Sequence, residues 1–222
     1  MIIINTPHNP TGSLISADDL VELSDLTSGT DIIVLSDEVY EHLVFDGKLH
    51  SSACCFDGLF ERSLIVGSFG KTFHATGWKM GFILGPANLM AEFRKLHQFV
   101  VFTCNTPIQY ALADFLADSD NYAFLNKFYQ EKRDIFVNGI KNSGFKIIKS
   151  YGTYFQLLDY RSLSELREEE YAEVLVKEYK IASIPVSAFY HDNTNQHLLR
   201  FCFAKKEETL LKAIEILNNI SR

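Results

Sequence analysis

Two stretches decide the fold: Asp31-Ile-Ile-Val-Leu-Ser-Asp-Glu-Val-Tyr40 and Ser63-Leu-Ile-Val-Gly-Ser-Phe-Gly-Lys71. Each is a short continuous apolar run that passes straight into polar residues able to do chemistry. An unbroken run of Val, Ile and Leu marks a strand buried on both faces, not one with a wet side. Ile2–Asn5 and Gly81–Gly85 read as two more strands of the same kind. Helix signals and long loops separate them. The clearest is Ser16, which with Asp19 forms a capping box ahead of Leu20, Val21, Leu23 and Leu26 at helical spacing. Buried strands alternating with helices or loops indicate an α/β fold whose parallel or mixed sheet is covered on both faces.

Beyond Phe102 the pattern changes. Pro107 opens a helix to about Ala117, and Asp118-Ser-Asp-Asn121 breaks it. A longer helix is expected from about Tyr122 to Asn142, with Leu125, Phe128, Tyr129, Ile135, Phe136 and Ile140 as its apolar stripe and Gly144 as its stop. Strands follow at Phe145–Ile148, Thr153–Asp159, Ile181–Pro185 and His197–Ala204, with helices at Glu165–Tyr179 and Glu207–Ile220. The charged run Arg167-Glu-Glu-Glu170 reads as a solvated helix face. A domain boundary is placed near residue 140. Residues 1–140 form an α/β domain with a mainly parallel sheet, and residues 141–222 a smaller C-terminal α+β domain.

Composition narrows the function. The 222 residues are 47% hydrophobic, enough to bury a core. The net charge of −7 is scattered without a basic stripe, which argues against nucleic acid as a partner. The longest apolar runs are strand-sized, so no membrane partner is expected. Cys54, Cys55, Cys104 and Cys202 lack metal-ligand spacing, and free thiols in a reducing cytosol are the expected state. Met1-Ile-Ile-Ile-Asn5 has no basic start and no cleavage site, so it is not a signal peptide. It already reads as a buried strand, and domains rarely begin mid-strand. The chain therefore reads as a fragment or a truncated gene model.

Five features stand in order: Asn9 within Thr6-Pro-His-Asn-Pro-Thr-Gly12, Asp37-Glu-Val-Tyr40, Ser68-Phe-Gly-Lys71, Thr76-Gly-Trp-Lys79, and Arg200 within Leu198-Leu-Arg-Phe-Cys-Phe203. Several fall at the ends of expected parallel strands, where open α/β sheets place their ligands. Lysine suits covalent and proton-transfer work because its pKa falls readily in a desolvated, cationic site. Arg200 is the single arginine of an apolar run, and its burial calls for an anionic partner. Taken singly, Lys71 reads as a loop lysine, Asp37 as a turn aspartate, Tyr40 as core and Asn9 as an Asx turn before Pro10. His8 reads as a packed loop residue that could line a pocket. No G-x-G-x-x-G fingerprint is present.

The set as a whole resembles the class I/II aminotransferases of pyridoxal-phosphate (PLP) fold type I. His8-Asn-Pro-Thr-Gly12, Asp37-Glu-Val-Tyr40, Gly70-Lys-Thr-Phe73, Gly152-Thr-Tyr-Phe155 and Ile184-Pro-Val-Ser-Ala-Phe-Tyr190 are similar to the branch holding methionine and kynurenine aminotransferases. The resemblance implies PLP as cofactor, held covalently by Lys71, whose freed amine then moves the substrate α-proton. It implies that Asp37 pairs with the ring nitrogen, that Tyr40 and Asn9 bond the phenolic oxygen, and that Ser68 and Lys79 bind the phosphate. Many relatives have arginine at the position of Lys79, and lysine offers a point charge without the fork. It also implies that Arg200 clamps the substrate α-carboxylate and that Asn9 is a further substrate-binding residue. The implied substrates are an apolar or aromatic amino acid (methionine, phenylalanine or kynurenine class) and a 2-oxo acid. The implied assembly is a cytoplasmic homodimer. Family members carry a segment ahead of the first strand here, so the large domain is expected to be incomplete and the chain alone inactive. A PLP-dependent carbon–sulfur β-lyase and a non-catalytic PLP- or amino-acid-binding domain stand as alternatives.

Overall fold

The computed structural model describes Met1–Ser221. The chain divides into two compact units: Met1–His8 with Leu14–Asn126, and Asn9–Ser13 with the residues from Lys127 onward.

In the first unit, strands β1 (Ile2–Asn5), β2 (Val34–Asp37), β3 (Ser63–Gly67) and β4 (Phe82–Leu84) form one sheet in that order. The first three are parallel and β4 runs antiparallel. Helices α1 (Ala17–Thr27) and α2 (Asp57–Phe60) supply the cover. Leu20, Val34, Ala53, Leu59 and Ile65 make a core cluster, with Ile4, Ile15, Leu23, Phe56 and Phe60 packed around it. Full burial of each larger aliphatic side chain is worth about 1.5–3 kcal/mol. The capping box forms as expected: Asp19 N–H donates to Ser16 Oγ at 3.1 Å and Ser16 N–H to Asp19 Oδ2 at 2.9 Å. The short α3 (Phe69–Thr72) follows β3 directly.

Helix α4 (Ala87–Val100) was not anticipated, and α5 (Thr106–Leu116) begins at the expected proline with Asn105 as its cap. Within this unit α4 buries no side chain, and Phe99 and Val100 are 84% and 80% exposed. Its Leu89, Met90 and Phe93 are half-buried.

The second unit contains α6 from Lys127 on (the helix spans Leu125–Gly139), β5 (Lys146–Ile147), β6 (Phe155–Asp159), α7 (Glu168–Lys177), β7 (Ile184–Pro185), β8 (Leu198–Cys202) and α8 (Glu207–Asn218). The sheet order is β5-β6-β8-β7, antiparallel throughout. Helix α6 stops at Gly139, not at Gly144, and Ile181–Ser183 lies outside β7. The contact division near Asn126 assigns α6 to this unit because its stripe packs here. Phe136 meets Phe201 at 6.2 Å between ring centroids, and Tyr129 meets Tyr154 at 6.0 Å.

The Arg167–Glu170 run is not simply a solvated face. Glu168 is fully buried. Its carboxylate accepts from the backbone N–H of Ser187, of Gln196 at 2.9 Å and of Leu198 at 2.9 Å. Glu169 Oε1 accepts from Ser187 Oγ at 2.7 Å. A buried carboxylate needs several donors, and here they come from segments remote in sequence. The loop Asn9–Ser13 is tied to this unit by Tyr151 N–H donating to the Gly12 carbonyl at 2.8 Å. Gly12 has φ +70°, and a Cβ there would lie 2.6 Å from Ser150 Oγ, so a side chain is excluded on both counts.

Candidate active site

Asp37 is the last residue of β2. It lies opposite Asn5 on one side and Val66 on the other. Its carbonyl accepts from Asn5 Nδ2 and from Thr6 N–H, both at 3.0 Å, and its Oδ1 accepts from Val39 N–H at 3.2 Å. The strand end thus fixes the carboxylate through its own backbone. Tyr40 follows in a tight turn, its carbonyl accepting from Leu43 N–H at 2.8 Å, and it is buried.

Ser68 and Lys71 leave the neighbouring strand β3. Ser68 is the N-cap of α3, and its carbonyl accepts from Lys71 N–H at 3.1 Å and Thr72 N–H at 3.2 Å. Its side chain makes no capping bond, unlike those of Ser16 and Ser52. The hydroxyl is therefore not consumed by the helix it starts. Lys79 is exposed and adopts left-handed backbone at φ 55°, at the end of the turn Thr76–Trp78. This turn packs close to α3, where a Cβ on Gly70 would lie 3.0 Å from Thr76 Cα, and the chain then returns past the end of β3 at Gly81. A Cβ on Gly81 would lie 2.6 Å from the Gly67 carbonyl oxygen. Asp37, Tyr40, Ser68, Lys71 and Lys79 all belong to the first unit.

Asn9 and Arg200 belong to the second unit and meet there. Arg200 Nη1 donates to Asn9 Oδ1 at 2.6 Å, across 191 residues of sequence. Arg200 is half-buried, with Cζ 3.9 Å from the centroid of the Phe155 ring and 5.2 Å from that of Phe189. These contacts set a neutral amide oxygen and two aromatic faces against the guanidinium and orient its positive charge.

Three further residues went unread in the sequence. Glu38, beside Asp37, is buried; it accepts from Ser36 Oγ at 2.7 Å and Ala53 N–H at 3.0 Å, and pairs with His50 Nε2 at 2.8 Å. Burial pushes its carboxyl pKa up, but the bonds from His50, Ser52, Ser36 and Ala53 together hold it below the usual range. Phe155 and Phe189 lie in quoted motif segments, yet an aromatic in an apolar run carries no mark of a cation beneath it. His8 is half-buried, and burial lowers its pKa.

The family model for "Aminotransferase class I and II" matches residues 1–217. The chain belongs to that family. Aminotransferases of this family use pyridoxal phosphate. This aminotransferase-family chain is 45% identical over 221 residues to methionine aminotransferase of Escherichia coli (strain K12), covering 99% of itself and 57% of that enzyme. It is 38% identical over 242 residues to kynurenine–oxoglutarate transaminase 3 of Bos taurus, covering all of itself and 53% of that protein. A solved Escherichia coli structure described as having a methionine aminotransferase function superposes with a TM-score of 0.95 at 46% identity, over 97% of this chain and 57% of that one. The chain therefore spans little more than half the length of the relatives it matches. The α/β fold with a mixed sheet, expected from the apolar runs, is that of these PLP fold-type I neighbours.

Proposed function

We propose that this chain, within its assembled holoenzyme, transfers the amino group of an apolar or aromatic L-amino acid of the methionine, phenylalanine and kynurenine class to a 2-oxo acid. The observation that carries the reading is the Asn9–Arg200 contact at 2.6 Å. It presents a planar guanidinium whose charge is not neutralised by this partner, the group best shaped to hold an α-carboxylate by two parallel bonds.

The residues present fit the cofactor. Pyridoxal phosphate, when bound, supplies an electron sink for the electrons left as the substrate α-proton departs. Lys71 is the proposed anchor, and its amine carries that proton. Asp37, fixed at the end of β2, provides a carboxylate for a pyridinium nitrogen. Tyr40 and Asn9 are the proposed donors to the phenolic oxygen. Ser68, with its hydroxyl unused in capping, and Lys79, exposed at a turn held against α3, are the proposed phosphate ligands. The proposed domain division is a large PLP-binding part to about residue 140 and a small C-terminal part after it.

The proposed assembly is a cytoplasmic homodimer. All four cysteines are free, which suits a reducing compartment. No helix among the described residues is long and apolar enough to cross a membrane. The exposed apolar residues of α4 and the loop after it, with Phe102 at 82% exposure, suit a protein partner. The reading is tested by following 2-oxo acid-dependent turnover of methionine, phenylalanine and kynurenine by the PLP-loaded holoenzyme. Turnover of a dicarboxylic amino acid in preference to all three would sink the substrate assignment.

A further inference from the structure

Arg200 Nη1 donates to Asn9 Oδ1, a bond that locates one nitrogen of a planar fork. An aromatic face packed on a guanidinium holds its plane, and the sheet shows how one comes to lie there. In the β6–β8 register Leu157 lies opposite Arg200 and Phe155 opposite Cys202. Side chains at alternate positions share a face, so Phe155 is the diagonal neighbour of Arg200, within reach of an aromatic ring. Its centroid sits 3.9 Å from Arg200 Cζ, and Phe189 is looser at 5.2 Å.

The ring is itself held. Phe155 is buried and packs edge-on against Tyr154, with centroids 4.7 Å apart at 66°. Its backbone N–H donates to Thr153 Oγ1 at 3.1 Å. Thr153 is fully buried with φ 66°, a left-handed conformation that a β-branched residue rarely adopts and that persists only where its surroundings impose it. Strained backbone immediately ahead of β6 thus sets where the ring enters.

We infer that Phe155 is a positioning residue for Arg200: its ring face fixes the plane of the guanidinium and so sets how tightly a substrate α-carboxylate is held. This rests on the reading of Arg200 as the carboxylate clamp. Phe155 touches no reacting atom; it acts through Arg200.

The test uses the PLP-loaded holoenzyme and its variants Phe155→Leu, Phe155→Tyr and Arg200→Lys. Two probes are titrated by calorimetry: 3-phenylpropionate, a carboxylate without an amine, and phenethylamine, an amine without a carboxylate. A stacked cation–π contact at a half-buried site is worth roughly a three- to tenfold change in affinity. Phe155→Leu is expected to weaken 3-phenylpropionate by that factor, to raise KM for the amino acid in parallel with kcat unchanged, and to leave phenethylamine unaffected. Phe155→Tyr, which restores a ring face, is expected to bind the carboxylate like the parent. If Arg200→Lys weakens 3-phenylpropionate while Phe155→Leu does not, the positioning role is overturned and the clamp stands. If Phe155→Leu weakens both probes alike, Phe155 is merely structural. If Arg200→Lys leaves 3-phenylpropionate untouched, the clamp itself fails and the inference falls with it.

Discussion

The two units hold their candidate site residues by opposite means. In the first, the candidate residues leave the ends of adjacent parallel strands, and backbone places them: Asp37 is fixed by strand pairing and Lys71 by the turn beginning at Ser68. In the second, Arg200 lies within an antiparallel strand, and side chains place it: the Asn9 amide and the faces of Phe155 and Phe189. Strand ends expose unpaired backbone and suit ligands that want several fixed groups in one place. A mid-strand arginine has its backbone fully used by the ladder, so only neighbouring side chains can aim it. The first kind of site should fail through chemistry or backbone collision, the second through loss of aim.

The sharpest break of that contrast is Lys71→Ala. In the holoenzyme it should lower turnover by roughly 10²- to 10⁴-fold or more, the scale of a lost proton-transfer group, with the melting temperature little changed. Full turnover in this variant would remove Lys71 from the chemistry. Next comes Arg200→Lys, which keeps the charge and loses the fork. We expect kcat/KM for the amino acid to fall about ten- to a hundredfold, equivalent to about 1.5–3 kcal/mol, while amines lacking a carboxylate are nearly indifferent. Equal losses for both would make Arg200 structural.

A backbone test sharpens the first half of the comparison. Gly81→Ala puts a Cβ 2.6 Å from the Gly67 carbonyl oxygen, where no flexible side chain can yield. It should cost about 1–3 kcal/mol in urea unfolding, as overpacking does. An unchanged midpoint would show that β4 can slide, and that the turn carrying Lys79 is not held by this approach.

The smallest effect concerns Glu38, next to Asp37. Its folded pKa lies below the ordinary value, so its stabilising contribution is complete above the usual carboxylate range and is lost as pH falls through the lowered value. Glu38→Gln should therefore cost about 1 kcal/mol near neutrality and flatten the acid limb of the melting-temperature profile. A parallel acid limb in both proteins would show that the Glu38–His50 pair does not stabilise the loop beyond β2.

How much was legible follows from the period of each signal. The strands at Ile2–Asn5 and Ser63–Gly67 were read to the residue, because both faces are apolar and the run is unbroken. Ile32 and Ile33, part of the apolar run that follows Asp31, lie outside β2, since an apolar residue looks the same before a strand as within one. The boundary placed at Gly144 and the solvated reading of Glu168 failed for one reason: each is decided by what a residue meets elsewhere in the chain. Phe155 and Phe189 are legible only as apolar, although both face the Arg200 guanidinium.

The sequence by itself determined the class of fold, the capped helix after Ser16, and the ordered set from Asn9 to Arg200, because continuous apolar runs, capping pairs and reactive side chains are local properties that survive being written in a line. Tertiary structure alone decided that Asn9 joins Arg200 across 191 residues, that a buried Glu168 gathers three backbone donors, and that the Phe155 face lies beneath the guanidinium. Those contacts depend on strand register and chain return. A single residue of register moves every side chain to the other face, and no local pattern in the sequence records it.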